Sequence, residues 1–249
     1  MKHVFKTIII AGAVASLVIS GCTKKSDSAA GPSTPATSAP SITINDGYGV
    51  LSAVRSVSYT TIAGYTVPLE VNTAVAAFTL TTGSGTFTDG GTVTLNSKSL
   101  TKSTNNAYVY QNLTDPLSFS QFAWNVTGSA SVPAISYTNN NLMTDYSGFS
   151  SLPSAITKAN GVTISLGSAV SSADSVYVVV TDYSNHVIMK RLAGNAGECV
   201  IAAADLSGFT AGKGMVQVCP WNYKSQDFNG KKIYFINESA FTKQGITIN

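Results

Sequence analysis

The chain has 249 residues, of which 44% are hydrophobic and only 11% are charged, and 15 basic residues stand against 12 acidic ones. Four basic residues and one acidic residue precede Ser41, which leaves eleven of each sign from that position onward. A folded part without net charge gives no electrostatic basis for binding nucleic acid, so this class of partner is excluded.

The first 21 residues have the layout of a secretory signal peptide. A short basic start is followed by an apolar run from Ile8 to Ile19, which is too short to span a membrane as a helix. The run ends in Ile19-Ser20-Gly21-Cys22, and this site resembles the lipobox of bacterial lipoproteins. The resemblance implies cleavage after Gly21 and acylation of Cys22. The alternative is an ordinary secretory signal that leaves Cys22 as a free thiol.

Residues 22–40 are rich in Ser, Thr, Ala and Pro and contain no bulky apolar side chain. Such a segment cannot form a core and is expected to be a disordered tether with a root-mean-square reach of about 25 Å. With acyl chains on Cys22 holding the protein at a bilayer, we expect a lipid-anchored protein of the bacterial cell envelope. The outer membrane is the expected location, at its periplasmic or surface face.

The segment 41–150 is predicted to be an N-terminal β-domain. Its apolar residues fall in short runs rich in Val, Ile, Thr, Tyr and Phe, which is the chemistry of strands rather than helices. Asp89-Gly90-Gly91 predicts a hairpin between Thr86–Thr88 and Thr92–Leu95, because glycine reaches positive φ without steric cost. The predicted strands are Gly49–Val57, Thr66–Val71, Ala74–Leu80, Thr92–Leu95, Tyr108–Gln111, Phe119–Val126 and Ala134–Tyr137.

The segment from Asn139 to Gly161 contains few alternating positions and is predicted to connect two domains, with one short helical turn at Ser154–Lys158. A second β-domain is predicted over 151–249. Asn229-Gly230 predicts a hairpin between its last two strands, Tyr223–Phe228 and Lys231–Ile236. The earlier strands are predicted at Val162–Leu166, Val176–Val180, His186–Arg191, Glu198–Ala202 and Met215–Val218.

The passage from Ala204 to Val218 resembles the crossing between the fifth and sixth strands of immunoglobulin-like and fibronectin-like sandwiches. Its leucine, Leu206, precedes a glycine-containing turn, and alternating valines follow. The resemblance implies an immunoglobulin-like second domain. The predicted fold is therefore all-β, with two antiparallel β-sandwich domains after the signal peptide and the tether. In layout the chain resembles cell-envelope lipoproteins of the kind common in Bacteroidota.

The sequence shows no catalytic residues, metal site or cofactor motif. His186 is the one histidine left after the signal peptide, and its neighbours place it at a turn or a strand edge, where an exposed histidine without a catalytic role is the better interpretation. Ser99-Leu100-Thr101-Lys102 fits the Ser-x-x-Lys motif of penicillin-recognising enzymes, but the companion Ser-Asp-Asn and Lys-Thr-Gly elements are missing. Eleven scattered carboxylates give no positive sign of the facing pair that a glycosidase needs.

The remaining candidates for a binding site are Trp221 and Tyr223. If Val216 and Val218 point into the core, alternation places these two aromatic residues and Cys219 on the opposite face of the strand. An exposed pair would form a platform for a sugar ring or a protein partner; the alternative is burial, by a bulge at Pro220 or by a covering loop.

The same face assignment predicts that Cys199 and Cys219 are free thiols, because their strands would lie in different sheets.

These observations predict a lipid-anchored envelope protein that acts as a non-catalytic binding or assembly module for a glycan or a protein. Two alternatives stay open. One is a carbohydrate-processing accessory enzyme, which would need paired carboxylates in a cleft, and the other is a structural spacer.

Overall fold

A computed structural model describes residues 46–62 and 65–249, so the predicted signal peptide, Cys22 and the tether lie outside the described residues. Within the described ranges the chain is all-β, as predicted, with short 3-10 turns at Ser147–Ser151, Lys158–Asn160 and Gly167–Ala169. The strands that it describes are β1 (Gly49–Ile62), β2 (Tyr65–Thr79), β3 (Phe87–Thr88), β4 (Val93–Leu95), β5 (Lys98–Ser99), β6 (Thr101–Lys102), β7 (Tyr108–Gln111), β8 (Phe122–Val126), β9 (Ile135–Asn139), β10 (Asp145–Tyr146), β11 (Ala155–Ile156), β12 (Val162–Ser165), β13 (Val170–Ser171), β14 (Ser175–Asp182), β15 (Val187–Ala193), β16 (Glu198–Ile201), β17 (Gly212–Phe228) and β18 (Lys231–Ile248).

A ten-stranded sheet organises the molecule. Its main path runs β15-β14-β17-β18-β1-β2-β7-β6, with β11 added beside β18 and β3 beside β2. β17 and β18 form a long antiparallel hairpin, and so do β1 and β2. The two hairpins meet in the middle of the sheet, where β1 and β18 pair in parallel. The central pair of the sheet is therefore formed by the first described strand, β1, and the last, β18.

Two separate cores pack on one side of this sheet. The first core lies between β1, β2 and β7 and a four-stranded sheet of order β5-β4-β8-β9, with Trp124 and Phe122 at its centre. The second lies between β14 and β17 and the small β12-β16 sheet, with Val178 and Val218 at its centre. Since side chains two apart on a strand share a face, Phe235 in the first core and Phe241 in the second place both cores on one face of β18.

Each core contains residues from the other side of the domain boundary that is predicted near residue 150. Ile233 and Phe235 from β18 complete the first core, and Val57 from β1 belongs to the second. Arg55 lies between the cores and donates to the carbonyl of Thr144 over 2.7 Å and to Ser239 Oγ over 3.2 Å. The division into domains at 41–150 and 151–249, and the immunoglobulin-like character of the second, stay predictions.

The predicted turn at Asn229-Gly230 is confirmed. Phe228 and Lys231 are paired across it, and both turn residues have positive φ, 49° at Asn229 and 74° at Gly230. This is the backbone geometry that favours a two-residue hairpin turn between twisted strands.

The hairpin predicted at Asp89-Gly90-Gly91 is wrong. β3, before the turn, pairs with β2, whereas β4, after it, pairs with β5 and β8. The two glycines lie where the chain passes from the ten-stranded sheet to the four-stranded sheet. A Cβ on Gly90 would lie 2.6 Å from the Phe78 ring, and Gly91 has a φ of 81°. Close packing requires glycine at position 90, and both close packing and the positive φ require it at position 91.

Several predicted breaks are also absent. Thr66–Val71 and Ala74–Leu80 are parts of the one strand β2, and β17 continues through Pro220. The helical turn predicted at Ser154–Lys158 is instead the short strand β11, followed by a 3-10 turn. The strands continue through these turn-forming residues because one partner strand, β1 for β2 and β18 for β17, pairs with them along nearly their whole length.

Candidate functional site: an aromatic face with unpaired polar atoms

Trp221 lies on the face of β17 that the sequence predicts, but it is not exposed. Pairing between β17 and β18 keeps one register from Val218 to Trp221, so there is no bulge at Pro220. Trp221 is nevertheless only 1% exposed, and Tyr223 is partly buried. The exposed platform is therefore wrong for Trp221. The physical reason is that large side chains from β14, from β18 and from β17 itself pack beside it.

These neighbours form the aromatic face, which we define as Tyr177, Trp221, Tyr223, Tyr234 and Glu238 on the side of the ten-stranded sheet opposite the two cores. The Tyr177 and Trp221 rings are stacked with centroids 5.8 Å apart and planes 6° apart. Tyr223 follows Trp221 at 6.0 Å, and Tyr234 follows Tyr223 at 6.0 Å. The apolar cluster around them also takes in Val50 and Ile236. All of these residues come from the sheet itself.

A row of polar side chains crosses this face. Ser175 on β14 is paired with Trp221, and Trp221 is paired with Glu238 on β18. Directly paired residues point to the same side of a sheet, and adjacent strands are about 4.8 Å apart, so the three side chains form a line of about 10 Å. Ser52 on β1 is paired with Ile236, two residues before Glu238, and lies diagonal to the line.

Each member of this polar row has a buried atom without a hydrogen-bonding partner within the described part of the chain. The atoms are Ser52 Oγ, Ser175 Oγ, Trp221 Nε1 and Glu238 Oε2. An indole N–H normally finds an acceptor when it is buried, and an unsatisfied buried polar atom costs about 1–3 kcal/mol. Four such atoms on one small surface call for an explanation beyond folding.

Glu238 stands out among them because it is an acid, 2% exposed and not paired with a cation by any described residue. Burial raises its pKa to about 8. At neutral pH the side chain is therefore mainly a neutral carboxylic acid, which both donates and accepts a hydrogen bond. The row as a whole is therefore mainly neutral at this pH.

The edge of the face is anchored by charged groups. Tyr234 Oη donates to Asp46 Oδ1 over 2.6 Å, and Lys232 Nζ donates to Asp46 Oδ2 over 2.6 Å. These two bonds lower the pKa of Asp46. The backbone N–H of Tyr223 donates to Asp174 Oδ2 over 3.0 Å. These contacts fix the positions of Tyr234 and Tyr223, and Arg191 on β15 interacts with the phenol of Tyr177, its cross-strand partner.

His186 lies at the turn between β14 and β15, as predicted, and its side chain is 46% exposed. Its Nδ1 is 2.7 Å from Asp182 Oδ2, a contact that the sequence analysis missed. Burial raises the pKa of Asp182, but hydrogen bonds from Thr210, His186 and Ser184 outweigh burial and lower it. Asp182 accepts four hydrogen bonds, and three of the four donors are backbone N–H groups. This pattern fastens the turn to the loop that carries Thr210.

The Ser-x-x-Lys match lies in strands rather than at the start of a helix. Ser99 ends β5 and Lys102 ends β6, where its Nζ donates to Asp89 over 2.7 Å. Among residues 46–62 and 65–249, no group of three His, Cys, Asp or Glu side chains could hold a metal ion. In the same ranges no helix is long and apolar enough to cross a membrane.

Cys199 and Cys219 are free thiols, as predicted. Cys199 is buried in the second core on β16, whereas Cys219 on β17 is paired with Tyr177 on the other side of the sheet. Burial raises the pKa of Cys199 to about 11 and also raises that of Cys219. Both thiols are therefore protonated at neutral pH.

No protein-family model matches the chain, and no curated protein is significantly similar to it. The geometry of the aromatic face therefore carries the functional proposal.

Proposed function

We propose that the protein is a lipid-anchored, non-catalytic binding module of the bacterial cell envelope and that its partner is held on the aromatic face. The observation that carries the proposal is the polar row, whose four buried atoms lack partners in the described chain while aromatic rings surround them. Aromatic surface with a few convergent polar groups is the usual make-up of a binding site for a small or extended ligand.

The anchoring part of the proposal rests on the sequence. Ile19-Ser20-Gly21-Cys22 follows an apolar run at the distance typical of a lipoprotein signal, and a tether of Ser, Thr, Ala and Pro residues follows. Two or three acyl chains on Cys22 give stable anchoring, because each buried methylene contributes roughly 0.8 kcal/mol. The outer membrane is the proposed location.

A photo-reactive residue placed on the aromatic face tests the binding role. Tyr223 is the suitable position, because it is partly exposed and its ring touches Trp221. We expect p-benzoylphenylalanine at position 223, in the full chain produced in intact cells, to form a light-dependent adduct with an envelope component. The matched control is position 136, an exposed serine on β9. Equal labelling at the two positions would contradict the proposal.

A further inference from the structure

We propose that the polar row is a binding site for a neutral sugar residue. The inference rests on the proposed binding function and names its ligand class and its contact residues. The contacts are Glu238, Trp221, Ser175 and Ser52, with Tyr177 and Tyr223 flanking them.

The hydrogen-bonding capacity of the row selects this class. Trp221 Nε1 can only donate, so it requires an acceptor on the ligand. The hydroxyls of Ser52 and Ser175 donate and accept, as does a neutral carboxylic acid at Glu238. A ligand rich in hydroxyl groups, each both donor and acceptor, satisfies all four unpaired atoms at once. An ammonium group satisfies Glu238 but leaves the indole N–H without an acceptor.

The surroundings of the row agree with a neutral ligand. Asp46 and Lys232 pair with each other at the edge of the face, and Arg191 on β15, the cross-strand partner of Tyr177, interacts with the Tyr177 phenol. Around Trp221 the face presents rings and small side chains, which match the apolar C–H face of a sugar ring. The line from Ser175 to Glu238 is about 10 Å long over three strands, so it offers hydrogen-bonding groups to several parts of a ligand rather than to one atom.

Access to the row lies beside its partly exposed neighbours. Ser175, Trp221 and Glu238 are closed to solvent, whereas Tyr177 and Tyr223 on either side of Trp221 are partly exposed. A sugar therefore enters at these two tyrosines and displaces their rings from the indole. On binding, the contacts of the Tyr177 and Tyr223 rings with Trp221 are replaced by contacts of these rings with the sugar.

The test is a titration of the full chain with glucose, galactose, mannose and N-acetylglucosamine, followed by calorimetry and saturation-transfer NMR. We expect at least one of these sugars to bind. Ser52→Ala and Ser175→Ala should each weaken that binding about five- to tenfold, as the loss of one hydrogen bond predicts. Ser136→Ala, on an exposed position of β9, is the matched control and should bind as the wild type does.

Two variants of Glu238 separate its hydrogen bonding from its charge. Glu238→Gln keeps a donor and an acceptor and should remain within about threefold of the wild type, whereas Glu238→Leu should lose binding. Circular dichroism confirms that each variant is folded before it is titrated. Normal binding by both serine variants, or by Glu238→Leu, would overturn the site.

The ligand class has its own contrary outcomes. Binding of glucosamine without binding of any neutral sugar would show that Glu238 recognises an ammonium group and would overturn the inference. Failure of all four neutral sugars to bind would overturn it as well. If position 223 is then still cross-linked in cells to a protein, the binding function stands and the sugar inference fails; if it is not cross-linked, both fail.

Discussion

Trp221 shows most clearly how one side chain contributes to both packing and the proposed site. Its ring is almost fully buried between Tyr177 and Tyr223, while its N–H has no acceptor among the described residues. The ring stabilises the fold, and in the proposed site the N–H donates to the ligand.

Trp221→Ala should therefore destabilise the protein. The loss of a buried aromatic side chain lowers the free energy of unfolding by about 3–5 kcal/mol. Urea unfolding followed by circular dichroism measures the difference. Leu142→Ala is the matched control, because Leu142 is 75% exposed and its truncation should change stability by less than about 0.5 kcal/mol. A Trp221→Ala midpoint equal to that of the wild type would show that the indole is not packed.

Glu238 gives the stability a defined dependence on pH. Its ordinary pKa of 4.5 applies to the unfolded chain, and burial raises the pKa to about 8 in the folded state. Between these values the folded protein keeps a proton that the unfolded chain has lost. Raising the pH through this window therefore lowers the free energy of unfolding, and the contribution of Glu238 levels off above about pH 8.

Glu238→Gln should remove this part of the dependence, since an amide does not titrate. Urea midpoints measured from pH 5 to pH 9 test it, with the variant losing less stability than the wild type over that range. Parallel curves for the two proteins would contradict the assignment. Cys219 and Tyr177 also face Glu238. Burial raises the pKa values of this thiol and this phenol, so both groups stay protonated in the folded protein over the same pH range.

At the scale of elements, the turn between β17 and β18 sets the register of the longest hairpin. Gly230 has φ of 74° in this turn, a region that costs a residue with a Cβ about 1–2 kcal/mol. The pairing that follows from this turn brings Trp221 opposite Glu238.

Gly230→Ala should lower the free energy of unfolding by about 1–2 kcal/mol. The matched control is Gly197→Ala, because a Cβ at Gly197 meets no heavy atom within 4 Å and its φ is not in the positive range. The control should remain within about 0.5 kcal/mol of the wild type. Thermal unfolding of both variants measures the contrast, and equal melting temperatures would contradict it.

At the scale of the whole molecule, the shared sheet makes each core dependent on the other half of the chain. The first core needs Ile233 and Phe235, which lie more than 80 residues beyond the predicted boundary. A fragment of residues 41–150 lacks both side chains and also the parallel partner of β1.

We therefore expect the fragment 41–150 to be unfolded by circular dichroism and to show no cooperative transition in urea. Residues 41–249, which contain both hairpins, are the control and should unfold cooperatively. A folded fragment 41–150 would show that the predicted first domain is independent despite the shared sheet.

Anchoring through Cys22 can be tested by acylation. Labelled palmitate should be incorporated into the wild-type chain and not into Cys22→Ala, because acylation requires the thiol. Cys219→Ala, which removes a buried thiol instead, is the control and should be labelled normally. Unlabelled wild-type protein in the soluble fraction would contradict the lipobox assignment.

The strand chemistry, the hairpin at Asn229-Gly230, the face on which Trp221 lies and the separation of Cys199 from Cys219 could all be predicted from the sequence. Each of these depends on local turn preferences or on the alternation of side chains along one strand. The burial of Trp221, the close packing at Gly90 and the neighbours of Glu238 could not, because they depend on which strands pair. Glu238 lies 17 residues from Trp221 in sequence and becomes its neighbour only when β17 and β18 pair. Ser52 on β1 and Ser175 on β14 reach the same face although they are far apart in the chain, and pairing between distant strands leaves no periodic signal in the sequence.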